Sequence, residues 1–590
     1  MRLLIAILFC STICFSQTNT YNISFKNAVH HEANIKASFP DLDSKVLVLR
    51  MSRTSPGRYA LHEFIKNVYG VKATNSKGKE LEINRPDAYS WEISGHDGTV
   101  NIEYTLFANR ADGTYTQVDL THAHLNIPAT FIYSEELKQR PIEVTFNTEG
   151  HPDWKIATQL KHLSGNKYFA PDLYYFMDSP TEISDFDLRE YTVDGKNIRF
   201  VLHHPGTAQE FDQYWEQVKK IVAQEKAVYE ELPDYDFGEY TFLACYMPNV
   251  SGDGMEHRNS TVLTDVESLG EGGMQGNIGT VSHEYFHSWN VERIRPKSLE
   301  PFNFTEANMS GALWFAEGFT SYYTGLILCR AGITTPEEYV NSLNGTFNYV
   351  WNSPARQYFS PIEMSFQAPF VDAATSVDPV NRQNTFISYY SYGSILGLAL
   401  DLKLREKGLN LDDFMKLAWE TYGEPEIPYT IDDLEISLSK YAGKEFASDF
   451  FSNYIYYSNM PDYKELFKTV GLELSQNKEQ AYSGISVRET ERELLISRGP
   501  QKGTPAYIAG LEEGNKIIAV NSAEISSKEA WDNEMESFKP GDTFKITISS
   551  YGEERTEEVK LQPDPAYTIR IAQNAPASAK AAREKWLSAK

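Results

Sequence analysis

Residues 281–290 read VSHEYFHSWN, and within them His283, Glu284 and His287 stand as H-E-x-x-H. Side chains four apart share one face of a helix, so the two imidazoles can converge on a single ion. Glu284 lies about 100° further round, within reach of a water on that ion but not itself a ligand. A zinc ion in such a place lowers the pKa of its water towards 7, and the carboxylate takes the proton. The competing reading is a polar stripe on a wet helix face. It has to account for the apolar neighbours Tyr285, Phe286 and Trp289. A helix around residues 278–291 that is largely buried fits these residues better.

A catalytic zinc needs a third protein ligand and an open fourth position. The stretch GALWFAEGFTSYYTGLIL offers Glu317 among Leu313, Phe315, Ala316, Phe319, Leu326 and Ile327. This reads as a mostly buried helix over residues 311–331. An isolated carboxylate there is costly, and a zinc ion supplies the missing partner. A buried salt bridge would serve the same need. Further helices are expected at 335–344 and 392–407.

The surrounding chain divides by pattern. Residues 17–169 alternate apolar and polar in short runs such as TVNIEYTLFAN and RPIEVTFNT, with turns at SKGKE, SGHDG and ADGTY. That is the pattern of a β-sandwich. Residues 170–470 mix strands with long helical periodicity and form one catalytic-type domain. Residues 475–565 return to short strands, and 566–590 are a charged, Ala-rich tail. The whole is a multidomain α+β chain, as 590 residues allow.

Residues 1–16 carry one Arg and then an apolar run from Leu3 to Phe15. The run is too short to span a bilayer and matches a secretory signal cleaved after Ser16. Export to the periplasm or the medium is expected. No later segment is long and apolar enough for a membrane span. A formal net charge of −26 disfavours nucleic acid and anionic membranes as partners. Cys245 and Cys329 remain after the signal, as one disulfide or two buried thiols. They form no metal motif.

Two resemblances follow from the motifs. GTPAYIAGLEEGN, with Thr504, Pro505, Ala506, Ala509, Gly510, Leu511 and Gly514, resembles a bacterial-type PDZ domain, with Asn515 where Asp is usual. A PDZ domain would offer a strand edge to a peptide ligand. H-E-x-x-H-x-W-N followed by W-F-x-E-G-F-T-x-Y resembles the M61 family of glycyl aminopeptidases, gluzincin metallopeptidases. The resemblance implies a β-rich N-terminal domain, a thermolysin-like zincin catalytic domain with a helical C-terminal part, and a C-terminal PDZ domain. It also implies one zinc ion on His283, His287 and Glu317, with Glu284 as general base.

Two more segments gain meaning from it. SGDGMEHRNS resembles the family's G-G-L-E-H segment, which implies that Glu256 binds the substrate's α-amine. His257 and Asp253 could assist, although Asp253 stands where the family usually has Gly. FISYYSYGSILGLALDLKLR resembles the Y-Y-x-K-G segment, which implies Tyr390 as hydrogen-bond donor to the oxyanion. Tyr392 replaces the family's Lys, and Tyr389 is a rival for the role. The expected activity is hydrolysis of peptides with an N-terminal Gly or Ala. The alternatives are a zinc endopeptidase on the same site, or a PDZ-based peptide-binding scaffold with a non-catalytic zinc site. Oligomeric state is not legible.

Overall fold

The computed structural model describes residues 17–371 and 378–590. The secretory segment expected over 1–16 lies outside the described residues. The N-terminal region is built on alternation. Strand Asn19–Asn27 buries Tyr21, Ile23 and Phe25, and its antiparallel neighbour Glu32–Phe39 buries Ala33, Ile35, Ala37 and Phe39. Period-two patterning of this kind leaves one face for a core. A seven-stranded sheet results, in the order Lys161–Ser164, Lys167–Ala170, Ile142–Asn147, Asn19–Asn27, Glu32–Phe39, Val100–Phe107, Val68–Thr74. A three-stranded sheet contributes Leu47, Leu49, Trp91 and Ile93 to the same core, completing the expected sandwich.

A third, four-stranded sheet comprises Lys155–Thr158, Thr181–Ser184, His122–Leu125 and Gln117–Val118. It is buried along most of its length. It meets the next sheet through Ala157, Phe186, Val201 and Leu243. That next sheet has five strands: β1 (Asp187–Val193), β2 (Lys196–His203), β3 (Glu239–Tyr246), β4 (Asp253–His257) and β5 (Ser260–Asp265). Its order is β1-β2-β3-β5-β4, so β4 is an edge strand, paired antiparallel to β5.

Helices cover this sheet. Helix α1 (Ala208–Tyr229) starts at a capping box in which Thr207 and Glu210 satisfy each other's backbone amides. Helix α2 (Gly273–Phe286) carries the H-E-x-x-H face and runs buried between α1 and the later helices. It starts earlier and ends earlier than expected. His287 is its C-terminal cap, still in right-handed helical conformation, and turns continue to Arg293. Helices α3 (Leu313–Ala316) and α4 (Gly318–Arg330) replace one continuous helix, with Glu317 at the break. Helices α5 (Pro336–Trp351) and α6 (Tyr389–Glu406) complete the wall.

The PDZ region is a six-stranded sheet with its own core of Leu494, Ile496, Ile517, Phe544, Ile546 and neighbours. The chain enters and leaves it side by side, because Leu472–Gln476 pairs with Tyr567–Ile571. The second of these strands lies against α5, where Asn344 and Asn348 bond its backbone. The segment read as a charged tail ends in helix α7 (Ala577–Leu587), and Trp586 is fully buried in the catalytic core. Trp586 and the neighbouring Leu587 outweigh the charged composition, because burying them recovers apolar free energy while the charged residues stay on the exposed face. Cys245 and Cys329 are both buried free thiols. Among the described residues, no helix is long and apolar enough to cross a membrane.

Candidate active site

Helix α2 aims two imidazoles at the break between α3 and α4. His287 Nε2 lies 3.1 Å from His283 Nε2 and 3.2 Å from Glu317 Oε2, and His283 Nε2 lies 3.7 Å from that same oxygen. A tetrahedral zinc with bonds of about 2.0–2.1 Å requires donor atoms roughly 3.3–3.4 Å apart. The three donors therefore already stand at the spacing the ion needs, and the set of two nitrogens and one carboxylate oxygen suits it chemically.

Each donor is held from behind. His287 Nδ1 bonds the Asn290 carbonyl at 2.5 Å, and His283 Nδ1 meets Thr324 Oγ1 at 3.2 Å. The Tyr59 hydroxyl donates to Glu317 Oε1 at 2.5 Å. The Asn290 side chain donates to the Phe315 and Ala316 carbonyls, clamping the α3–α4 break to the end of α2. Such outer contacts fix ring orientation and carboxylate direction, and through them metal affinity. Asn290 was within reach of sequence reasoning, as the last residue of the W-N pair. Tyr59, from a loop of the N-terminal region, carried no signal beyond the Pro-Gly turn before it.

Glu256 comes from β4. One oxygen of Glu256, one of Glu284 and a nitrogen of His287 lie within 4.8 Å of one another. Gly254, on the same face of the strand, is required there: a Cβ would stand 2.8 Å from the Glu284 carboxyl carbon. Gly57, at φ +79°, passes over Glu256, and a Cβ there would lie 3.0 Å from Oε2. Arg58 pairs with Asp253, which also accepts the Gly113 amide at 3.0 Å. Asp253 therefore braces the edge strand against the N-terminal region. Beyond it a cavity of about 630 Å³ opens, lined by Arg58, His62, Asp112 and Thr114 among others.

His257 does not join the cluster. Successive strand residues alternate faces, and His257 is turned to the far side, with Nδ1 2.9 Å from Asp178 Oδ1. Tyr390 and Tyr389 separate clearly. The Tyr390 ring stands 5.8 Å from the His283 ring, whereas Tyr389 is buried edge-on to Tyr59 in a small apolar cluster. A close backbone crossing brings Tyr390 there: Gly393 on α6 packs directly on Gly318 and the Trp314 carbonyl.

The electrostatics of the cluster favour a cation. Burial, then the Glu256 and Glu317 charges, push the Glu284 carboxyl well up, and His287 only partly offsets them. Burial and Glu317 likewise raise Glu256. Burial would lower His287, but Glu317, Glu256 and Glu284 override it and draw a proton onto the ring. The group thus lacks positive charge, and a dication supplies it.

Three family models match parts of the chain. The model of the Peptidase M61 N-terminal domain matches residues 20–185, that of the M61 glycyl aminopeptidase 276–396, and that of a PDZ domain 481–561. An aminopeptidase N family protein from Idiomarina loihiensis has the same fold, with a TM-score of 0.85 at 24% identity over 97% of this chain and 100% of that one. An M1 zinc metallopeptidase from Deinococcus radiodurans is a more distant neighbour, with a TM-score of 0.45 at 11% identity over 76% of this chain and 95% of that one. A search of curated protein sequences returned no match.

Proposed function

We propose that this chain, which belongs to the M61 peptidases, is an exported zinc aminopeptidase that releases N-terminal Gly or Ala from peptides. The observation that carries the choice of an N-terminal residue is Glu256, buried on an edge strand against Glu284 and His287. With a zinc ion held by the two imidazoles, which must then be neutral, the ionised forms of Glu256, Glu284 and Glu317 would bring three negative charges into one buried place. A zinc ion offsets two of them, and an α-ammonium offsets the third. An internal peptide bond brings no charge and would leave one carboxylate unpaired, at a cost of several kcal/mol.

A zinc ion held by His283, His287 and Glu317 would supply Lewis-acid polarisation of the scissile carbonyl and would lower the pKa of a water beside it. Glu256 accepts hydrogen bonds from the α-ammonium and so sets which carbonyl reaches the ion. Glu284 takes the proton of the attacking water and passes it to the leaving amine. The Tyr390 hydroxyl donates to the oxyanion as it forms, an interaction typically worth a few kcal/mol of barrier. The PDZ region is proposed to hold part of a longer peptide by strand addition.

The test is turnover of Gly- and Ala-anilides. Glu284→Gln should abolish it with zinc content unchanged. Glu256→Ala should cost at least a hundredfold in kcat/KM on free N-termini, while N-acetylated substrates stay uncut by either protein. Efficient cleavage of the acetylated peptides would establish an endopeptidase instead. Protein recovered outside the cytoplasm and starting at Gln17 would support the export reading; a Met1 start there would refute cleavage.

A further inference from the structure

A second group of metal-ligating side chains lies outside the catalytic cluster, at the seam between the four-stranded N-terminal sheet and the five-stranded sheet. One ligand atom each of His122, His203 and Cys245 lie within 4.8 Å of one another, and all three residues are buried. His203 ends β2 and is the register partner of Cys245 on the neighbouring β3. His122 starts the strand His122–Leu125, which pairs with Thr181–Ser184 and so brings Glu182 to the same spot. Cys245 Sγ is 3.6 Å from His203 Nδ1, and Glu182 Oε1 is 3.7 Å from that nitrogen.

Two of these atoms are orphans. His122 Nε2 and Glu182 Oε1 are buried with no hydrogen-bond partner. A buried polar atom without a partner is costly, so something in the seam should satisfy each of them. The other atoms of the same groups are committed: Glu182 Oε2 meets His124 Nδ1 at 2.9 Å, and His122 Nδ1 meets Thr121 Oγ1 at 3.0 Å. Carboxylates stand behind both rings, with Asp119 Oδ1 3.6 Å from His122 Nδ1 and Asp185 Oδ1 3.7 Å from His203 Nε2. An imidazole backed by a carboxylate, with its other nitrogen free and inward, is the arrangement of a metal ligand.

We propose that His122, His203, Cys245 and Glu182 form a second, structural zinc site that staples the N-terminal sheet to the catalytic sheet. The spacing suits the ion. Zinc with a sulfur at about 2.3 Å and a nitrogen at about 2.0–2.1 Å holds those two atoms roughly 3.6 Å apart, as Cys245 and His203 are. Glu182, 3.7 Å from His203 Nδ1 but outside the group of three whose atoms all lie within 4.8 Å, would turn in to complete a closed set of four donors, which makes the site structural rather than catalytic. Binding replaces the Cys245 thiol proton by the ion and releases that proton to solvent. No sequence pattern announces the site, because the four ligands come from four strands and no two fall in a recognisable spacing.

The test is zinc counted per folded chain, with the metal alone as probe. After dialysis against a weak chelator and refilling with zinc, the wild-type protein should hold two equivalents. Cys245→Ser and His122→Gln should each hold one and keep the catalytic ion, whereas His283→Ala should hold one and lose the catalytic ion. Cobalt refilling gives a second readout that needs no variant to fold. A thiolate-to-cobalt charge-transfer band should appear in the wild-type protein and persist in His283→Ala, because only the seam site contains sulfur. A single equivalent in the wild-type protein with no thiolate band overturns the proposal. So does a second equivalent that survives both seam variants. Failure of the catalytic reading would instead show as loss of the His283-dependent ion with the thiolate band intact.

Discussion

Replacing Gly393 by Ala tests how the oxyanion donor is placed. On α6, an ideal Cβ at residue 393 would stand 2.7 Å from the Gly318 Cα and 2.8 Å from the Trp314 carbonyl carbon. Carbon atoms settle at about 3.5–4.0 Å and the Trp314 carbonyl oxygen would lie closer still, so α6 and the α3–α4 break would have to part by more than about 1 Å. Two terms oppose each other. Ala gains about 1 kcal/mol of helix propensity over Gly. Overpacking of a tight crossing costs about 1–3 kcal/mol. The backbone carbonyl cannot rotate aside as a side chain would, so the cost should prevail and net stability should fall by about 1 kcal/mol. The larger effect should be on catalysis. Tyr390 lies one helical turn before Gly393, and Glu317 immediately precedes Gly318, so the same shift separates donor from ion. A misplacement of about 1 Å can cost on the order of a hundredfold in rate. Ala-anilide turnover by Gly393→Ala, with zinc content and circular dichroism matched to the wild-type protein, measures it. Wild-type kcat/KM would refute the idea that this glycine contact positions Tyr390.

The remaining predictions concern the supports around the site. Tyr59→Phe removes the hydroxyl on Glu317 Oε1 and should weaken zinc binding about 10- to 100-fold, read by competition with a chelator. Trp586→Ala should destabilise the catalytic region by about 3–5 kcal/mol, because a buried ring is deleted and Tyr322 loses the indole N–H at 3.0 Å; an unchanged unfolding transition would mean that α7 is a dispensable tail. Burial pushes the Glu225 carboxyl under α2 well above its ordinary 4.5. The folded state therefore keeps a proton that the unfolded chain has released, and stability should fall as pH rises above about 4.5, by roughly 1.4 kcal/mol per pH unit until the folded group ionises. Glu225→Gln should remove that slope in denaturation curves measured across pH.

Much of the site was legible because it is local. His283, Glu284 and His287 sit on one helix, and helical geometry alone decides that two rings face one way with a carboxylate beside them. Glu317 was legible from cost, since a lone carboxylate in an apolar helix needs a partner. Glu256 on an edge strand followed from a Gly-flanked turn together with the family resemblance, and His257 failed for the plainest of reasons: the alternation of a strand turns it to Asp178. The Tyr389–Tyr390 choice was beyond the sequence, because adjacent residues at a helix start differ only in the direction the packed helix points them.

What the sequence by itself determined is the chemistry available in short windows: two imidazoles and a base at helical spacing, a buried carboxylate, a sandwich written in alternation, a PDZ pattern. What only the tertiary structure decided is everything that joins windows. Tyr59 reaches Glu317 across 258 positions, Gly393 meets Gly318 through backbone alone, Trp586 draws the last helix into the core, and four strands bring His122, Glu182, His203 and Cys245 together. The physical reason is that covalent geometry sets distances over a few residues, whereas contacts between distant residues are chosen by which buried surfaces and polar groups can be satisfied together.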